Sequence, residues 1–176
     1  MRIISRLDIK NSHLIKSINF DGTRKIGNPI SYAKDYYDNN IDEIFLINNT
    51  GSLYNTVINY DVIKEVRKNI SIPIAGGGNI KKLQIAENFI ISGCDKIIIN
   101  SLAYENLSEV KKIISQLGSS SVVGSIQYSK KTHLTYYKMA RELTGYNLDD
   151  NIKFYQDVGF GEILLTQIEG DGRYCG

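Results

Sequence analysis

Asp8 and Gln127 occupy matching places in two stretches of the chain that echo each other 119 residues apart. Ser5-Arg6-Leu7-Asp8-Ile9 aligns with Gly124-Ser125-Ile126-Gln127-Tyr128, and Glu43-Ile44-Phe45-Leu46-Ile47 aligns with Glu162-Ile163-Leu164-Leu165-Thr166 at the same offset. A fixed offset over two apolar runs predicts an internally duplicated architecture, with equivalent residues in equivalent places. Asp8 can take up or release a proton. The carboxamide of Gln127 has no proton to exchange near neutrality, so it can only orient a partner by hydrogen bonds. Asp171, in the loop past the last of these runs, is a further carboxylate within the same set.

Other polar residues punctuate the ends of apolar runs. Asn48, Asn100, Gln127 and Gln167 each close one, and with Asp8 and Asp171 they would form a polar mouth; singly, such side chains also serve to cap loops. Ala75-Gly76-Gly77-Gly78-Asn79 closes another run ahead of an amphipathic stretch. Glycines there let backbone amides approach an anion at a helix N-terminus, or simply make a tight turn. With Asn100-Ser101 at the next run's end, two neighbouring termini would converge on one phosphate. At the opposite ends stand Arg2, Glu43, Lys96 and Glu162, two cations and two anions that could make a neutral ring: a salt-bridge plug, plain solvated strand starts, or a gate.

The elements that must position these residues alternate. Short β-branched runs fall at 2–8, 43–48, 72–75, 96–100, 121–127 and 162–167, and amphipathic stretches at 29–39, 60–69, 81–92, 107–117 and 147–158. Strict alternation of strands with helices of this length predicts parallel pairing through crossovers, hence α/β. Asn28-Pro29 reads as an N-cap followed by proline at the first helical position, and Gly93 and Gly159 as C-caps. The expected architecture is a (β/α)8 TIM barrel with a half-barrel internal repeat. The first half-barrel covers about 1–119 and a partial second about 120–176, so a single domain holds about six β/α units of a fold that usually needs ~250 residues. An open doubly wound sheet is the other arrangement these elements allow.

The chain has 176 residues, 42% hydrophobic and 23% charged, which is ordinary for a globular protein. A net charge of +2 with scattered lysines argues against nucleic-acid binding. Met1-Arg2 leads straight into a strand-like run, with no apolar leader and no ~20-residue spanning segment, so no membrane association and a cytoplasmic location are expected. Cys94 and Cys175 are unpaired in spacing, and His13 and His133 lie far from them, so neither disulfide, metal nor cofactor is signalled; the cysteines read as one core-packed and one near a chain end.

The pattern resembles the cyclase subunit of imidazole glycerol phosphate synthase. Arg6-Leu7-Asp8-Ile9-Lys10, Lys16, Asn19-Phe20, Arg24 and Gly27-X-Pro29 are similar to that family's first strand and long loop. Ile41-Asp42-Glu43, Gly76-Gly77-Gly78, Gly93-Cys94-Asp95-Lys96 with Asn100, and Gly161-Glu162-Ile163-Leu164-Leu165-Thr166 with Asp171-Gly172 follow in family order. The resemblance covers essentially the whole chain and lacks the family's last quarter. It implies a barrel that receives ammonia from a docked glutaminase and conducts it through the core. Arg2, Glu43, Lys96 and Glu162 match the family's entrance gate, and Asp95 matches a residue that helps hold the glutaminase. Lys16, Gly78, Asn100 and, by a conservative swap, Ser101 match its loop and phosphate contacts, and Asn48 and Thr166 join the substrate-binding set.

Two departures matter. The family's two proton-transfer aspartates fall on Asp8 and Gln127, and Asn48 also replaces an aspartate. Gate residues kept and proton-transfer pair altered resemble divergent relatives in surface-polysaccharide (lipopolysaccharide) pathways, where ammonia passes to a sugar acceptor. The expected function is therefore an ammonia-receiving synthase subunit of a glutamine amidotransferase complex, acting on a small phosphorylated or sugar acceptor. A histidine-biosynthesis cyclase/lyase using Asp8 and Asp171, or a non-catalytic docking module that activates a glutaminase, are the other readings.

Overall fold

The structure is a computed structural model that describes residues 1–173. In chain order it contains β1 (Ile4–Lys10), β2 (His13–Ile18), β3 (Asp21–Gly27), α1 (Pro29–Asp38), β4 (Glu43–Ile47), α2 (Gly51–Tyr54), α3 (Tyr60–Asn69), β5 (Ile74–Gly77), α4 (Leu83–Ile91), β6 (Lys96–Ile99), α5 (Leu102–Glu105), α6 (Leu107–Leu117), β7 (Val122–Tyr128), β8 (Leu134–Tyr137), β9 (Glu142–Asn147), α7 (Leu148–Val158) and β10 (Glu162–Gln167). Asparagine begins four of the helices. Asn28, Asn59, Asn106 and Asn147 each accept a hydrogen bond from an amide in the first turn, satisfying a donor that the helix itself cannot.

Six strands pair in parallel in the order β1-β4-β5-β6-β7-β10, so the fold is α/β with consecutive parallel neighbours. If flat, this sheet would place β10 roughly 24 Å from β1, at about 4.8 Å per step. Yet Arg6 on β1 donates to Thr166 Oγ1 on β10 at 3.1 Å. The sheet therefore curls until its outermost parallel strands face each other across a concave interior, while remaining open in its hydrogen bonding. This is consistent with part of a (β/α) barrel.

The two faces differ in kind. Leu7, Ile9, Ile44, Leu46, Ile74, Ile97, Ile99, Val122 and Ile126 point outward and pack under the helices against residues such as Val66, Phe89, Val110 and Ile113. The alternate positions point inward: Phe45, Ile47, Ala75, Ile98 and Val123 form a small separate cluster, flanked by Ile4 and Leu164. Period-two alternation thus separates a large helix-covered core from a narrow apolar interior.

Strict alternation does not hold. Antiparallel hairpins interrupt it, β2–β3 after β1 and β8–β9 after β7. β3 is polar and almost wholly exposed, and β9 nearly so, which leaves no apolar alternation for a sequence pattern to register. The helix expected at 81–92 begins at Leu83, because Lys82 is extended and Glu109 accepts the Leu83 amide at 2.7 Å. Gly78 has φ +114°, and a β-carbon there would lie 2.5 Å from the Asn48 carbonyl, so this position requires glycine.

Candidate active site

The concave face is layered from one end to the other. At the N-terminal ends of the strands, Arg2, Glu43, Lys96 and Glu162 close a ring of alternating charge. Arg2 Nε lies 3.3 Å from Glu43 and its Nη2 2.9 Å from Glu162; Lys96 Nζ lies 3.1 Å from Glu43 and 2.6 Å from Glu162. Glu43 is fully buried. Burial opposes the charge on Glu162, but the Lys96 and Arg2 contacts outweigh it and hold the carboxyl below its usual range. Asp95 sits at the same end, where it accepts the Ile74 amide at 2.8 Å and pairs with Arg67, tying the starts of β5 and β6 together. Above the ring lies the apolar layer of Phe45, Ala75, Ile98 and Val123.

At the C-terminal ends the lining turns polar. Asp8 is buried, and its Oδ1 accepts from Arg6 Nε at 2.9 Å. Its Oδ2 has no hydrogen-bond partner among the described residues and lies 3.5 Å from Lys16 Nζ, which leaves an acceptor free for a ligand. Lys16 also reaches Asp171 Oδ1 at 2.9 Å. Asp171 is the latch of the first hairpin: its Oδ2 accepts from Ser17 Oγ at 2.7 Å and from the Phe20 amide at 3.1 Å. Burial opposes its charge, and the Lys16 and Ser17 contacts outweigh it, so its carboxyl titrates below the ordinary aspartate range. Thr166 accepts from Arg6, whose Nη2 donates to Asn49 Oδ1 at 2.9 Å.

Gln127 is buried, and its Oε1 accepts the Ala140 amide at 2.7 Å. Its carboxamide oxygen thus anchors the turn between β8 and β9. That turn runs through Lys138, Met139 and Ala140, all in the left-handed region at φ 49°, 58° and 58°. Each such non-glycine residue costs roughly 1–2 kcal/mol, so the turn needs outside support. Lys138 pairs with Glu105 at 3.0 Å and Glu142 at 3.1 Å, contacts that push its ammonium up to about 12. Arg141 pairs with Asp21 of the first hairpin at 3.0 Å, so the two hairpins meet over the mouth. Glu169 secures the second hairpin's base, accepting from Ser129 Oγ at 2.5 Å and the Lys130 amide at 3.0 Å.

A cleft opens at this end, and Arg6, Gly78, Lys81, Asn100, Ser101, Gln127 and Met139 are among the residues that line it. Several expected residues are thereby brought together, though some already have internal partners. Asn100 donates to the Ser125 carbonyl at 2.7 Å. Asn48 donates to Thr56 and accepts from Thr50, bracing its own loop. The α4 N-terminus, offered as part of the anion cradle, is already met by the Glu109 carboxylate, so an anion would rest on the loop and on Lys81 instead. Gln167 falls in the outward register, one residue past inward-facing Thr166.

Arg6, Asn49, Met139 and Ser17 were not among the expected site residues. Arg6 could have been found, since an arginine two residues before Asp8 on the same strand shares its face. Met139 could not, because its place depends on a turn with no apolar period. Cys94 is core-packed, and burial pushes its thiol up to about 12. Cys175 lies outside the described residues. Among the described residues no group of three or more His, Cys, Asp or Glu is placed to hold a metal, and no helix is long and apolar enough to cross a membrane.

Fold and site together define an α/β protein with its polar groups gathered at the C-terminal ends of parallel strands, where folds of the (β/α) barrel kind carry their chemistry. The chain belongs to the family described as histidine biosynthesis protein, which matches it over residues 2–176. It is similar to the imidazole glycerol phosphate synthase subunit HisF of Legionella pneumophila, 36% identical over 179 residues that cover 100% of this chain and 84% of that one. The HisF subunits of Lactococcus lactis (strain IL1403) and Pyrococcus furiosus are each 36% identical too, over 99% of this chain and 69% and 70% of theirs.

Proposed function

We propose that this protein is the ammonia-receiving, cyclase-type synthase subunit of a glutamine amidotransferase pair, taking ammonia in at the charged ring and using it at the polar mouth. The observation that carries this reading is the layering of one concave face: a closed ring of four ion pairs, an apolar middle of Phe45, Ala75, Ile98 and Val123, then Arg6, Asp8, Asn100 and Gln127. A neutral small molecule such as ammonia crosses an apolar layer more easily than an ion does, because an ion there loses its hydration. The ring sits where a glutaminase would dock, with Asp95 at its margin. The same register on β1–β4 as on β7–β10, Ile4 opposite Glu43 and Val123 opposite Glu162, supports a half-barrel repeat.

At the mouth, Asp8 is the proton acceptor, with Lys16 and Asp171 completing its charge network. Gly78, Asn100 and Ser101 hold the acceptor's phosphate. Gln127 spends its oxygen on the Ala140 amide and moves no proton. A phosphorylated or sugar acceptor in a surface-polysaccharide pathway fits this reduced acid–base set. The authentic cyclase/lyase reaction of histidine biosynthesis is the second reading, favoured by the intact Asp8, Lys16 and Asp171 network.

Mixing the protein with the glutaminase partner of a HisF relative tests the first step. The expected result is stimulated glutamine hydrolysis that Lys96→Ala abolishes; no stimulation by the wild type overturns the reading. Cyclisation of the phosphoribulosyl formimino aminoimidazole ribotide with ammonium salt then separates the acceptors, since turnover selects histidine biosynthesis.

A further inference from the structure

Two cations line the cleft at the mouth, Arg6 and Lys81. Arg6 is committed, with Nε on Asp8, Nη1 on Thr166 and Nη2 on Asn49. Lys81 pairs with no carboxylate among the described residues. Its ammonium donates instead to Asn55 Oδ1 at 2.8 Å, and the Asn79 carboxamide donates to the same oxygen at 3.3 Å. Asn55 and Asn79 both stand in the left-handed region, at φ 52° and 58°, which asparagine tolerates better than most side chains. An ammonium only donates, so the atom of Asn55 that faces it is the carbonyl oxygen. A neutral oxygen holds the ammonium in place without cancelling its charge.

The backbone nearby offers an anion less than its glycines suggest. The Leu83 amide at the start of α4 already donates to Glu109 at 2.7 Å, and the Asn100 side chain to the Ser125 carbonyl at 2.7 Å. Glu105 also lines the cleft, where Lys138 offsets it at 3.0 Å. We propose that Lys81, three residues past Gly78, is the residue that anchors the acceptor's phosphate, and that Asn55 is its positioning residue, fixing the ammonium at the cleft while leaving its charge to the ligand. This rests on the reading that the mouth receives a phosphorylated acceptor.

Calorimetric titration with inorganic phosphate and with ribose 5-phosphate tests it. Lys81→Gln should weaken both by about tenfold or more, the scale of a lost hydrogen bond to a charged group. Lys82→Gln removes the same charge one residue away, outside the cleft lining, and should change neither by more than about twofold. Asn55→Asp separates positioning from support. Aspartate also accepts from Lys81 and also tolerates the left-handed conformation, so a merely structural Asn55 predicts unchanged binding. Its carboxylate should instead neutralise Lys81 and weaken phosphate binding as much as Lys81→Gln does, with no fall in melting temperature. Binding that Lys81→Gln leaves intact, equal losses in Lys81→Gln and Lys82→Gln, or unchanged binding by Asn55→Asp overturns the proposal while the phosphorylated-acceptor reading stands. A wild type that binds neither probe overturns that reading and the proposal with it.

Discussion

Gln127 and Glu169 flank the second hairpin, and each is committed to a backbone amide. Gln127→Asp restores a carboxylate at the position but withdraws it by one methylene from the Ala140 amide. The expected outcome is no gain in ammonium-driven cyclisation, with stability lowered by about 1 kcal/mol from the lost hydrogen bond, read by urea denaturation. Glu169 gives a pH signature. Burial opposes its charge, but Ser129 and the Lys130 amide outweigh it and bring its pKa from 4.5 to about 2. Since the folded value is the lower one, its contribution is complete above pH 4.5 and is lost as pH falls toward about 2. Melting temperatures from pH 7 downward should show Glu169→Gln less stable than wild type at neutrality, with the difference closing in that window.

At the scale of elements, the ring shows how strand starts from distant parts of the chain become one unit. Each ring residue stands at or just before the start of a different strand, and alternation alone would predict only that each faces inward. Removing one cation leaves the fully buried Glu43 with Arg2 as its remaining partner. Lys96→Met should therefore cost about 3 kcal/mol, the low end for breaking a buried pair because Arg2 still compensates, measured as a shift in the urea midpoint at unchanged slope. The main elements were legible in sequence: the six parallel strands and five longer helices fall where apolar periodicity and the Asn28-Pro29 and Gly159 signals put them. The hairpins were not, since β3 and β9 bury almost nothing and are held by contacts at their tips and bases. Asp171 and Arg141 supply those contacts from far along the chain.

Across the whole molecule, the curl of the sheet makes one concave interior out of residues that a flat sheet would leave unrelated. Ala75 is the smallest side chain of the inner apolar layer and packs beside Phe45, Ile98 and Val123. Ala75→Leu should fill that layer, lowering stability by about 1–3 kcal/mol through overpacking while leaving the mouth unchanged. If ammonia travels this way, the variant's glutamine-driven turnover falls well below its ammonium-driven turnover, whereas the wild type supports both. Equal loss of the two would show instead that the substitution had disturbed the mouth. A comparison of both ammonia sources on the same folded protein, checked by circular dichroism, decides between them.

The amino-acid sequence by itself determined the α/β class, the parallel pairing implied by strand–helix alternation, and the ends of the strands at which charged and polar groups gather, because period and capping are local properties of the chain. It also showed that residue 127 carries no titratable proton. Only the tertiary structure decided what those groups touch. That Arg6 crosses to Thr166, that Gln127 holds a left-handed turn and that Met139 is buried beside the cleft all depend on how the sheet curls and where two nearly featureless hairpins come to rest, and no local period encodes contacts between residues 160 positions apart.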